Sequence, residues 1–410
     1  MKFMYFFLPT IPATKEERRA LRPIANRTDR WQRMIEEVVS IAQQAEDLGF
    51  DAVGFPEHHL HSEGIEIGSL PLLTQHVIHN TKRIKVGPIG YVLPGWNPLR
   101  LALEIGWLDQ LTKGRTFVGL ARGYQARWLN QMAQKIHVGA TLSDKSETDR
   151  INREAFEEVF RFLKLAWSDK PFRFKGKHYE YPSPQEGTPW PPHEFTREYG
   201  FPGEVDEQGR IHEISVVPKP YQKPHPPLFQ AFSMSEETVR WCAREGITPT
   251  ILISQPPQLR KLAEAYQEEA RKAGRELRLG DNIGVLRTMY IAENHAQAVK
   301  LAEAGQCGFA FREFFYHFGF FEAWREPADD VKYGKKPLPA EEANVARMER
   351  ADFAYIGSLD EVTRRVDALV ENAHPEWFVW QGDQGLMPLD DVKRQVDLVG
   401  KHIVPRYRSA

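Results

Sequence analysis

The sequence has few cysteines, no surplus of positive charge and no long hydrophobic run. Its 410 residues include two cysteines, Cys242 and Cys307, which cannot build a disulfide framework and are typical of a reducing compartment. Lys and Arg total 54 against 56 for Asp and Glu, a formal charge of −2. No basic surplus is therefore available for nucleic acid or an anionic membrane, and a small-molecule partner is favoured.

Apolar runs are short throughout the chain. The opening MKFMYFFLP ends at Pro9, which is too short for a signal h-region or a membrane span, and no later run reaches about 18 apolar residues. We therefore expect a cytoplasmic protein without a membrane segment.

Nearly continuous apolar segments alternate with segments of helical periodicity, as expected for parallel strands buried on both faces by helices. The predicted helices include 30–50, 69–80 and 98–111. Eight alternating strands predict an α/β fold, a (β/α)8 TIM barrel forming a single domain over 1–410. The predicted strands span 2–8, 51–55, 84–93, 116–121, 227–232, 248–253, 283–292 and 376–382.

Two segments interrupt this alternation and are predicted to be insertions. The first, 171–226, is rich in proline and aromatic residues and indicates a hairpin plus an irregular loop. The second, 305–350, contains GFAFREFFYHFGFFEAW. Its aromatic residues fit a lid over an apolar substrate, and extra packing or a dimer contact fits them equally well.

Polar side chains follow the second strand, where barrel enzymes place reacting groups. Glu57, His58 and His59 come directly after it, and His61 follows in what reads as a surface loop. The spacing of His59 and His61 is that of a strand presenting two imidazoles to zinc. Because later strands end in serine rather than in further ligands, a metal-dependent hydrolase is the least favoured interpretation.

A phosphate site is better supported than a metal site. Ser233 and Glu236 have the S-x-x-E spacing of a capping box at a helix N-terminus, where backbone N–H groups and the helix dipole favour an anion. Taken alone, the S-x-x-E spacing usually indicates a helix cap without a bound anion. Arg122, which ends the fourth strand, can add a bidentate contact to the same phosphate.

The stretch 87–124 carries glycines that let a planar ligand approach. Gly87 and Gly90 place no Cβ between the strand and a flat ring system. Asn97 and Pro98 have the residue types of an N-cap and a first helical position.

Here the sequence resembles the flavin-dependent luciferase-like monooxygenases. The resemblance rests on EHH, on VLP followed by NPLRLA, and on LDQLTKGR and RGY. It extends to PHPPLFQAFSMSEETVRWCAREG, YIGSLDEV and VKRQVDLVGKHIVP. The motifs cover most of the chain in order and leave the centre of the first insertion and the aromatic segment unmatched.

The resemblance implies a barrel that binds reduced FMN from a separate flavin reductase and uses O2 to oxygenate a small, apolar or aromatic substrate. His58 matches the catalytic histidine, the Ile89–Gly90 bond a cis-peptide bulge, and Arg122 with Ser233 the phosphate ligands. The further cofactor-binding residues implied are Gly123, Tyr124 and Ser235. The expected substrate contacts are Trp96, Asn97, Tyr124 and Phe315.

His58 is expected to donate or accept a proton near the flavin, because imidazole titrates near neutral pH. His59 should point the other way and act as an orienting or structural group. Glu57 either fixes a histidine tautomer or stabilises the loop.

One residue departs from the family pattern. Ala121 stands where the luciferase subunit has a reactive cysteine, so we expect oxygenation without useful luminescence. An F420-dependent oxidoreductase on the same fold and a non-catalytic flavin-binding protein remain as alternatives. A homodimer is expected from the relatives.

Overall fold

The computed structural model describes residues 1–65, 69–184 and 186–408 and divides the chain into two compact units. The first unit comprises residues 1–90 and 228–410, and the second comprises residues 91–227. Residue 185, within the predicted first insertion, lies outside the described residues. The organisation of 1–410 as a single domain stays a prediction.

The strands are short, and those of the first unit are almost wholly buried. In chain order they are β1 (Lys2–Phe6), β2 (Ala52–Phe55), β3 (Lys85–Pro88), β4 (Tyr91–Val92), β5 (Val118–Ala121), β6 (Phe174–Lys175), β7 (Glu180–Tyr181), β8 (Thr188–Pro189), β9 (Arg210–Ile211), β10 (Leu228–Ser233), β11 (Thr248–Ile251), β12 (Gly284–Ile291), β13 (Ala354–Gly357) and β14 (Trp377–Gln381).

Helices separate most of these strands. They are α1 (Lys15–Ala20), α2 (Thr28–Asp47), α3 (Leu70–His79), α4 (Pro98–Thr112), α5 (Ala126–Met132), α6 (Glu147–Trp167), α7 (His193–Tyr199), α8 (Glu236–Glu245), α9 (Pro256–Lys272), α10 (His295–Ala304), α11 (Pro327–Tyr333), α12 (Val345–Arg350), α13 (Leu359–Ala373) and α14 (Leu389–Leu398). The predicted helices at 30–50, 69–80 and 98–111 correspond to α2, α3 and α4.

The first unit is built on a parallel sheet. Its strands follow the order β3-β2-β1-β14-β12-β11-β10, and β13 also pairs with β12. Every residue of β12 and β14 is buried, because both faces of the sheet are covered. On one face, Tyr5 packs edge-on against Trp380 with ring centroids 5.1 Å apart, and Trp380 stacks on Phe50 at 6.2 Å.

Each of the eight predicted strands overlaps an observed strand, but the structure corrects several details. The predicted strand 84–93 divides into β3 and β4. The Ile89–Gly90 bond is trans, so the predicted cis bond is wrong, because all cis peptide bonds of the described residues precede proline. A cis bond elsewhere costs about 3 to 4 kcal/mol. The strand β13, which directly follows the charged end of the predicted second insertion, was not predicted.

The second unit contains the predicted first insertion. Strands β6 and β7 form an antiparallel pair, as do β8 and β9, which confirms the predicted hairpin. Asp109 of α4 is fully buried and accepts hydrogen bonds of 2.8 Å from the backbone N–H and the side-chain amide of Gln222. This pair fixes the end of the insertion against α4.

The second insertion carries what we call the aromatic segment, residues 309–324, in the first unit. Its backbone forms a π-helical turn (Cys307–Phe311) and two 3-10 segments (Phe315–Phe318 and Phe320–Trp324). The segment is followed by α11 and α12. Arg347 of α12 holds α11 through a bidentate pair with Asp329, with N–O distances of 2.6 and 3.0 Å.

Candidate active site

The residues that follow β2 form a compact polar loop in the first unit. His58 is 5% exposed, and Glu57 is 2% exposed. The Nε2 atom of His59 lies 3.0 Å from a carboxylate oxygen of Glu57, so this carboxylate orients His59. The role of His59 as an orienting or structural group stays a prediction, and His58 is the more deeply buried imidazole of the two.

His61 is buried, which contradicts its predicted place on a surface loop. It is 4% exposed, and its Nδ1 atom lies 2.8 Å from the carbonyl oxygen of Ile65. Its ring stacks against His58 at 5.9 Å and contacts Phe314 edge-on at 5.5 Å. The loop turns inward because these ring contacts cover the imidazole, and sequence spacing alone does not reveal such long-range packing.

The end of β10 is distorted. The pairing of β10 with β11 shifts register between Gln230 and Ser233, and Phe232 has a φ of +48°. A bulky side chain in this left-handed region costs about 1 to 3 kcal/mol and is most often found where function requires it. The bulge re-aims the side chains beside Ser233.

Ser233 does not cap the following helix, so the predicted capping box with Glu236 is wrong. The N-cap of α8 is Ser235, whose Oγ accepts a hydrogen bond from the backbone N–H of Thr238 at 3.3 Å. Strand β10 extends through Ser233, which moves the cap two residues along the chain. The Oγ atom of Ser233 is buried and has no hydrogen-bond partner among the described residues.

The aromatic segment connects the ends of β2 and β10. Phe314 contacts His61, and Phe320 contacts Phe232 with ring centroids 6.5 Å apart. Phe315, a predicted substrate contact, is 4% exposed and lies between Phe314 at 5.6 Å and Phe320 at 5.1 Å. The segment therefore contacts the residues beside His58 and Ser233, after the end of β2 and at the end of β10.

Ile89 and Gly90, the last residues of the first unit before the chain leaves it, are buried. The backbone N–H of Ile89 donates to the carbonyl oxygen of Phe55 at 2.7 Å. The Ile89 side chain also fills the space over Gly54, where a Cβ would lie 3.3 Å from Ile89 Cγ1. The bond between Ile89 and Gly90 thus lies beside the end of β2.

In the second unit, Arg122 is tied to a carboxylate that the sequence did not indicate. Its guanidinium lies 2.6 Å from Asp149 and also donates to Ser143. Burial favours a raised pKa for Asp149, but the hydrogen bond from Thr141 and the charge of Arg122 together lower that pKa below its ordinary value. Asp149 therefore stays ionised and holds the arginine in one orientation.

The two residues after Arg122 have different surroundings. Gly123 has a φ of +84°, and a Cβ there would lie 2.5 Å from Val92 and 2.6 Å from Leu129, so only glycine fits. Tyr124 is half-buried, and its hydroxyl accepts a hydrogen bond from Gln125 at 3.1 Å. Both keep the loop after β5 in a defined conformation.

Trp96 and Asn97 are held by the hairpin of the first insertion. Asn97 caps α4 by accepting from the N–H of Arg100 at 3.0 Å, which confirms the predicted cap. Its amide also donates to the Tyr181 hydroxyl at 3.0 Å, and the Tyr179 hydroxyl donates to the Trp96 carbonyl oxygen at 3.2 Å. The amide of Asn97 is therefore engaged in structural contacts.

Comparison with known proteins identifies the family. The family model described as luciferase-like monooxygenase matches residues 1–374. The chain belongs to the luciferase-like monooxygenase family. This membership confirms the resemblance seen in the sequence.

Relatives of this family with known activities include 3,6-diketocamphane 1,6-monooxygenase of Pseudomonas putida. It is 26% identical over 383 residues, which cover 90% of this chain and 92% of that protein. The alkanal monooxygenase alpha chain of Photobacterium leiognathi is 26% identical over 248 residues, covering 60% and 57% of the two chains.

Solved structures confirm the predicted luciferase-like TIM-barrel fold. The oxygenating constituent of 3,6-diketocamphane monooxygenase from Pseudomonas putida, solved with FMN, covers 100% of this chain and 99% of its own with a TM-score of 0.71 at 21% identity. An F420-dependent secondary alcohol dehydrogenase, solved with an F420-acetone adduct, covers 100% and 99% with a TM-score of 0.62 at 16% identity.

Two further properties bear on the kind of site. Across the described ranges, no group of three or more His, Cys, Asp and Glu side chains is placed to hold a metal ion. No helix in the part of the chain that the structure describes has the length and apolar composition needed to cross a bilayer.

A buried carboxylate just beyond β14 was missed by sequence reasoning. Burial raises the pKa of Asp383 to about 7, although the N–H of Gln306 and the hydroxyl of Tyr290 donate to it. Gln306 directly precedes the π-helical turn from which the aromatic segment emerges. Asp383 therefore anchors that segment to the sheet, and a lone aspartate after a strand gave no signal of this contact.

Proposed function

We propose that this protein is a two-component monooxygenase that uses reduced FMN and O2 to oxygenate a small apolar substrate. The observation that carries the proposal is the arrangement in the first unit, where rings of the aromatic segment contact His61, which stacks on His58, and Phe232, which precedes Ser233. Family membership and the similarity to 3,6-diketocamphane 1,6-monooxygenase over 90% of the chain support it. A separate flavin reductase would supply the reduced cofactor.

The residues present fit a phosphate-bearing flavin. Ser233 Oγ is buried without a partner among the described residues, and such a hydroxyl is suited to bind a phosphate oxygen. Arg122 is a proposed second phosphate ligand, because its fixed guanidinium presents several donors to an oxyanion. Gly123, Tyr124 and Ser235 are proposed cofactor contacts through the backbone and side chains of their loops.

Bound reduced FMN would supply the electrons that activate O2. The chain's own contribution is then to hold and move protons and to exclude water. We assign the proton transfer to an imidazole nitrogen of His58, whose ring is fixed by the stack with His61. The aromatic segment keeps water away from the covered strand ends.

The proposed substrate contacts are one residue of the second insertion and three residues of the second unit that precede the first insertion. Phe315 belongs to the aromatic segment, and the Tyr179 hydroxyl donates to the backbone carbonyl oxygen of Trp96. Tyr124 and Asn97 are further proposed contacts. An apolar substrate fits these side chains because most of them offer ring faces and few offer unpaired polar atoms.

A second candidate function is hydride transfer from F420. It is favoured by the F420-dependent alcohol dehydrogenase that covers this whole chain at a TM-score of 0.62. Anaerobic titrations with reduced FMN and with reduced F420 distinguish the two cofactors. Tighter binding of F420, with substrate turnover in the absence of oxygen, would replace the monooxygenase assignment.

The decisive test supplies reduced FMN and ¹⁸O2 with a panel of bicyclic ketones and aliphatic aldehydes and measures ¹⁸O in the products. We expect label incorporation by the wild-type protein. His58→Ala should lower incorporation by about 10² to 10⁴, the usual contribution of a general acid or base, without loss of FMN binding. His59→Ala is the matched control and should change incorporation far less. Absence of label from every product would contradict the proposal.

A further inference from the structure

Gln381, the last residue of β14, carries a buried side-chain NH2 group for which no described residue provides an acceptor. The residue is 2% exposed, and its Nε2 atom has no hydrogen-bond partner among the described residues. The backbone carbonyl of Gln381 is used, since it accepts from the Thr288 hydroxyl at 3.0 Å. A buried N–H without an acceptor costs free energy, so a native protein normally pairs it.

The register of the sheet shows which face this amide occupies. Gln381 lies opposite Phe6 of β1. Tyr5 and Trp380 are the preceding residues of the two strands and form an opposed pair packed against Phe50. Because side chains alternate along a strand, Gln381 and Phe6 share the other face of the sheet.

On that face, side chains contact the distorted end of β10 and, through it, the aromatic segment. The ring of Phe6 contacts Phe232 with centroids 5.6 Å apart, and Phe232 contacts Phe320 of the aromatic segment. Phe232 has the left-handed φ of +48°. Gln381 and Phe232 therefore lie on either side of the Phe6 ring. Each is at the carboxyl end of its strand.

Unfavourable features of this kind cluster at ligand-binding sites. A donor N–H requires an acceptor oxygen, and the rings of Phe6 and Phe232 offer apolar faces to the body that carries it. A carbonyl oxygen on a flat or compact apolar skeleton meets both requirements. An anion does not meet them, because the rings of Phe6 and Phe232 that adjoin this amide carry no positive charge.

We propose that the Gln381 carboxamide donates a hydrogen bond to a carbonyl oxygen of a ligand whose apolar body lies against Phe6 and Phe232. The inference rests on the proposed function, which supplies two sources of such an oxygen. One is the isoalloxazine ring of the flavin, and the other is a carbonyl group of the substrate. Gln381 is thus a binding residue of the barrel that the sequence motifs did not indicate.

The test uses Gln381→Leu, which removes the amide and keeps the approximate volume. Thr250→Val is the matched control. Thr250 is fully buried, its Oγ1 also lacks a partner among the described residues, and its register through Gly284 to Trp377 places it on the same face. It lies four residues, or about 13 Å along the strand, from the level of Gln381.

Three measurements are made on each variant. Thermal unfolding is followed without ligand, anaerobic titration measures affinity for reduced FMN, and binding of camphor and of camphane, the same skeleton without the carbonyl, is measured on the FMN-loaded protein. Gln381→Leu should melt at or above the wild-type temperature, since it removes an unsatisfied polar group. It should weaken binding of a carbonyl ligand by about tenfold or more, the usual loss for one buried hydrogen bond.

The arms of the experiment separate the two sources. Weaker FMN binding assigns the amide to the flavin, and weaker binding of camphor with unchanged camphane assigns it to the substrate. Thr250→Val should leave every affinity within about twofold. Unchanged affinity of Gln381→Leu for every probe that the wild type binds, or a clear loss of ligand-free stability, overturns the inference.

Failure of the proposed function has a different signature. If the wild type binds F420 and not FMN, the monooxygenase proposal fails. F420 also carries ring carbonyls, so titration of Gln381→Leu with F420 still decides the role of the amide. Binding of neither flavin nor F420 nor either terpenoid by the wild type overturns both proposals.

Discussion

The guanidinium of Arg122 lies 2.6 Å from a carboxylate oxygen of Asp149. The same carboxylate accepts from the Thr141 hydroxyl at 2.7 Å and from the backbone N–H of Lys145 at 3.1 Å. Asp149 is the carboxylate in a small network that fixes the arginine before any ligand arrives. A phosphate bound by Arg122 would therefore share the guanidinium with Asp149. The arginine would already be held in place when the phosphate binds.

Replacing Arg122 by methionine should weaken binding of FMN much more than binding of riboflavin. A charge-assisted hydrogen bond contributes about 1.5 to 3 kcal/mol, so the loss for FMN should be about 10- to 150-fold. Riboflavin lacks the phosphate and should bind the variant as it binds the wild type. Anaerobic fluorescence titration with both reduced ligands measures the ratio.

The control for this substitution addresses the carboxylate that Arg122 leaves behind. Asp149 is 7% exposed, and its unpaired charge would lower stability in Arg122→Met. The double variant with Asp149→Asn removes that charge and should show the same preference for riboflavin over FMN. An equal loss for FMN and riboflavin would contradict the phosphate role.

Removing the ring of Phe320 should open the aromatic cover. Phe320 contacts Phe232 at 6.5 Å and Phe315 at 5.1 Å, and an aromatic contact contributes about 0.5 to 1.5 kcal/mol. Phe320→Ala should therefore raise the H2O2 released per O2 consumed by about 2- to 12-fold, because water gains access to the covered strand ends.

Phe309→Ala is the comparison for this prediction. Phe309 is also half-buried in the aromatic segment, but its ring lies under Lys15 at 4.9 Å and Arg18 at 5.9 Å. Its loss should leave the coupling of O2 consumption to product formation near the wild-type value. Equal peroxide release by the two variants would show that the segment packs without covering the site.

The sequence predicted the elements of the fold better than the contacts of the site. Continuous apolar runs and helical periodicity depend only on near neighbours, so β1, β12 and α2 were located from them. The division between β3 and β4 was not, because the apolar run 84–93 continues through both strands, and β13 was not, because it follows the charged end of the second insertion.

Side-chain partners were harder to predict because they depend on residues distant in the chain. The proximity of Ser233 to a helix start was correct, but the length of β10 decides that Ser235 is the cap. His61 looked exposed because Phe314, about 250 residues away in sequence, is what covers it. Asp149 and Gln381 were missed for the same reason, since neither belongs to a recognisable motif.

The buried arginine beneath the aromatic segment should be essential for stability. Arg347 is 1% exposed and pairs with Asp329 at 2.6 Å and Glu342 at 2.5 Å. Arg347→Met removes the cation that Asp329 and Glu342 share and should lower the free energy of unfolding by about 3 to 5 kcal/mol. Urea unfolding monitored by tryptophan fluorescence measures the change.

The neutral triple variant separates charge from packing in that cluster. Arg347→Met combined with Asp329→Asn and Glu342→Gln removes all three charges and should recover most of the lost stability. A loss below about 1 kcal/mol for Arg347→Met alone would show that water reaches the cluster. A triple variant no better than the single one would assign the effect to packing.

The buried carboxyl of Asp383 should make the protein less stable as pH rises toward neutrality. Its pKa is raised from 3.8 to about 7 by burial, so between these values the folded state holds a proton that the unfolded state has released. Stability from this group is fully present below about pH 4 and is lost as pH rises through about 7. The slope approaches about 1.4 kcal/mol per pH unit within that window.

Asp383→Asn should flatten this dependence, because an amide can still accept from the Gln306 N–H and the Tyr290 hydroxyl without titrating. The variant should match the stability of the wild type near pH 4 and exceed it at pH 8 when unfolding is measured in urea across that range.

Asp367→Asn should change the pH dependence of stability in the opposite direction. Burial would raise the pKa of Asp367, but Tyr407 and Arg406 lower it below 3.8, so its loss should destabilise at pH 8 and matter less as pH falls through that value. A wild-type protein whose stability rises steadily from pH 4 to pH 7, with Asp383→Asn following the same curve, would show that Asp383 is ionised in the folded state throughout.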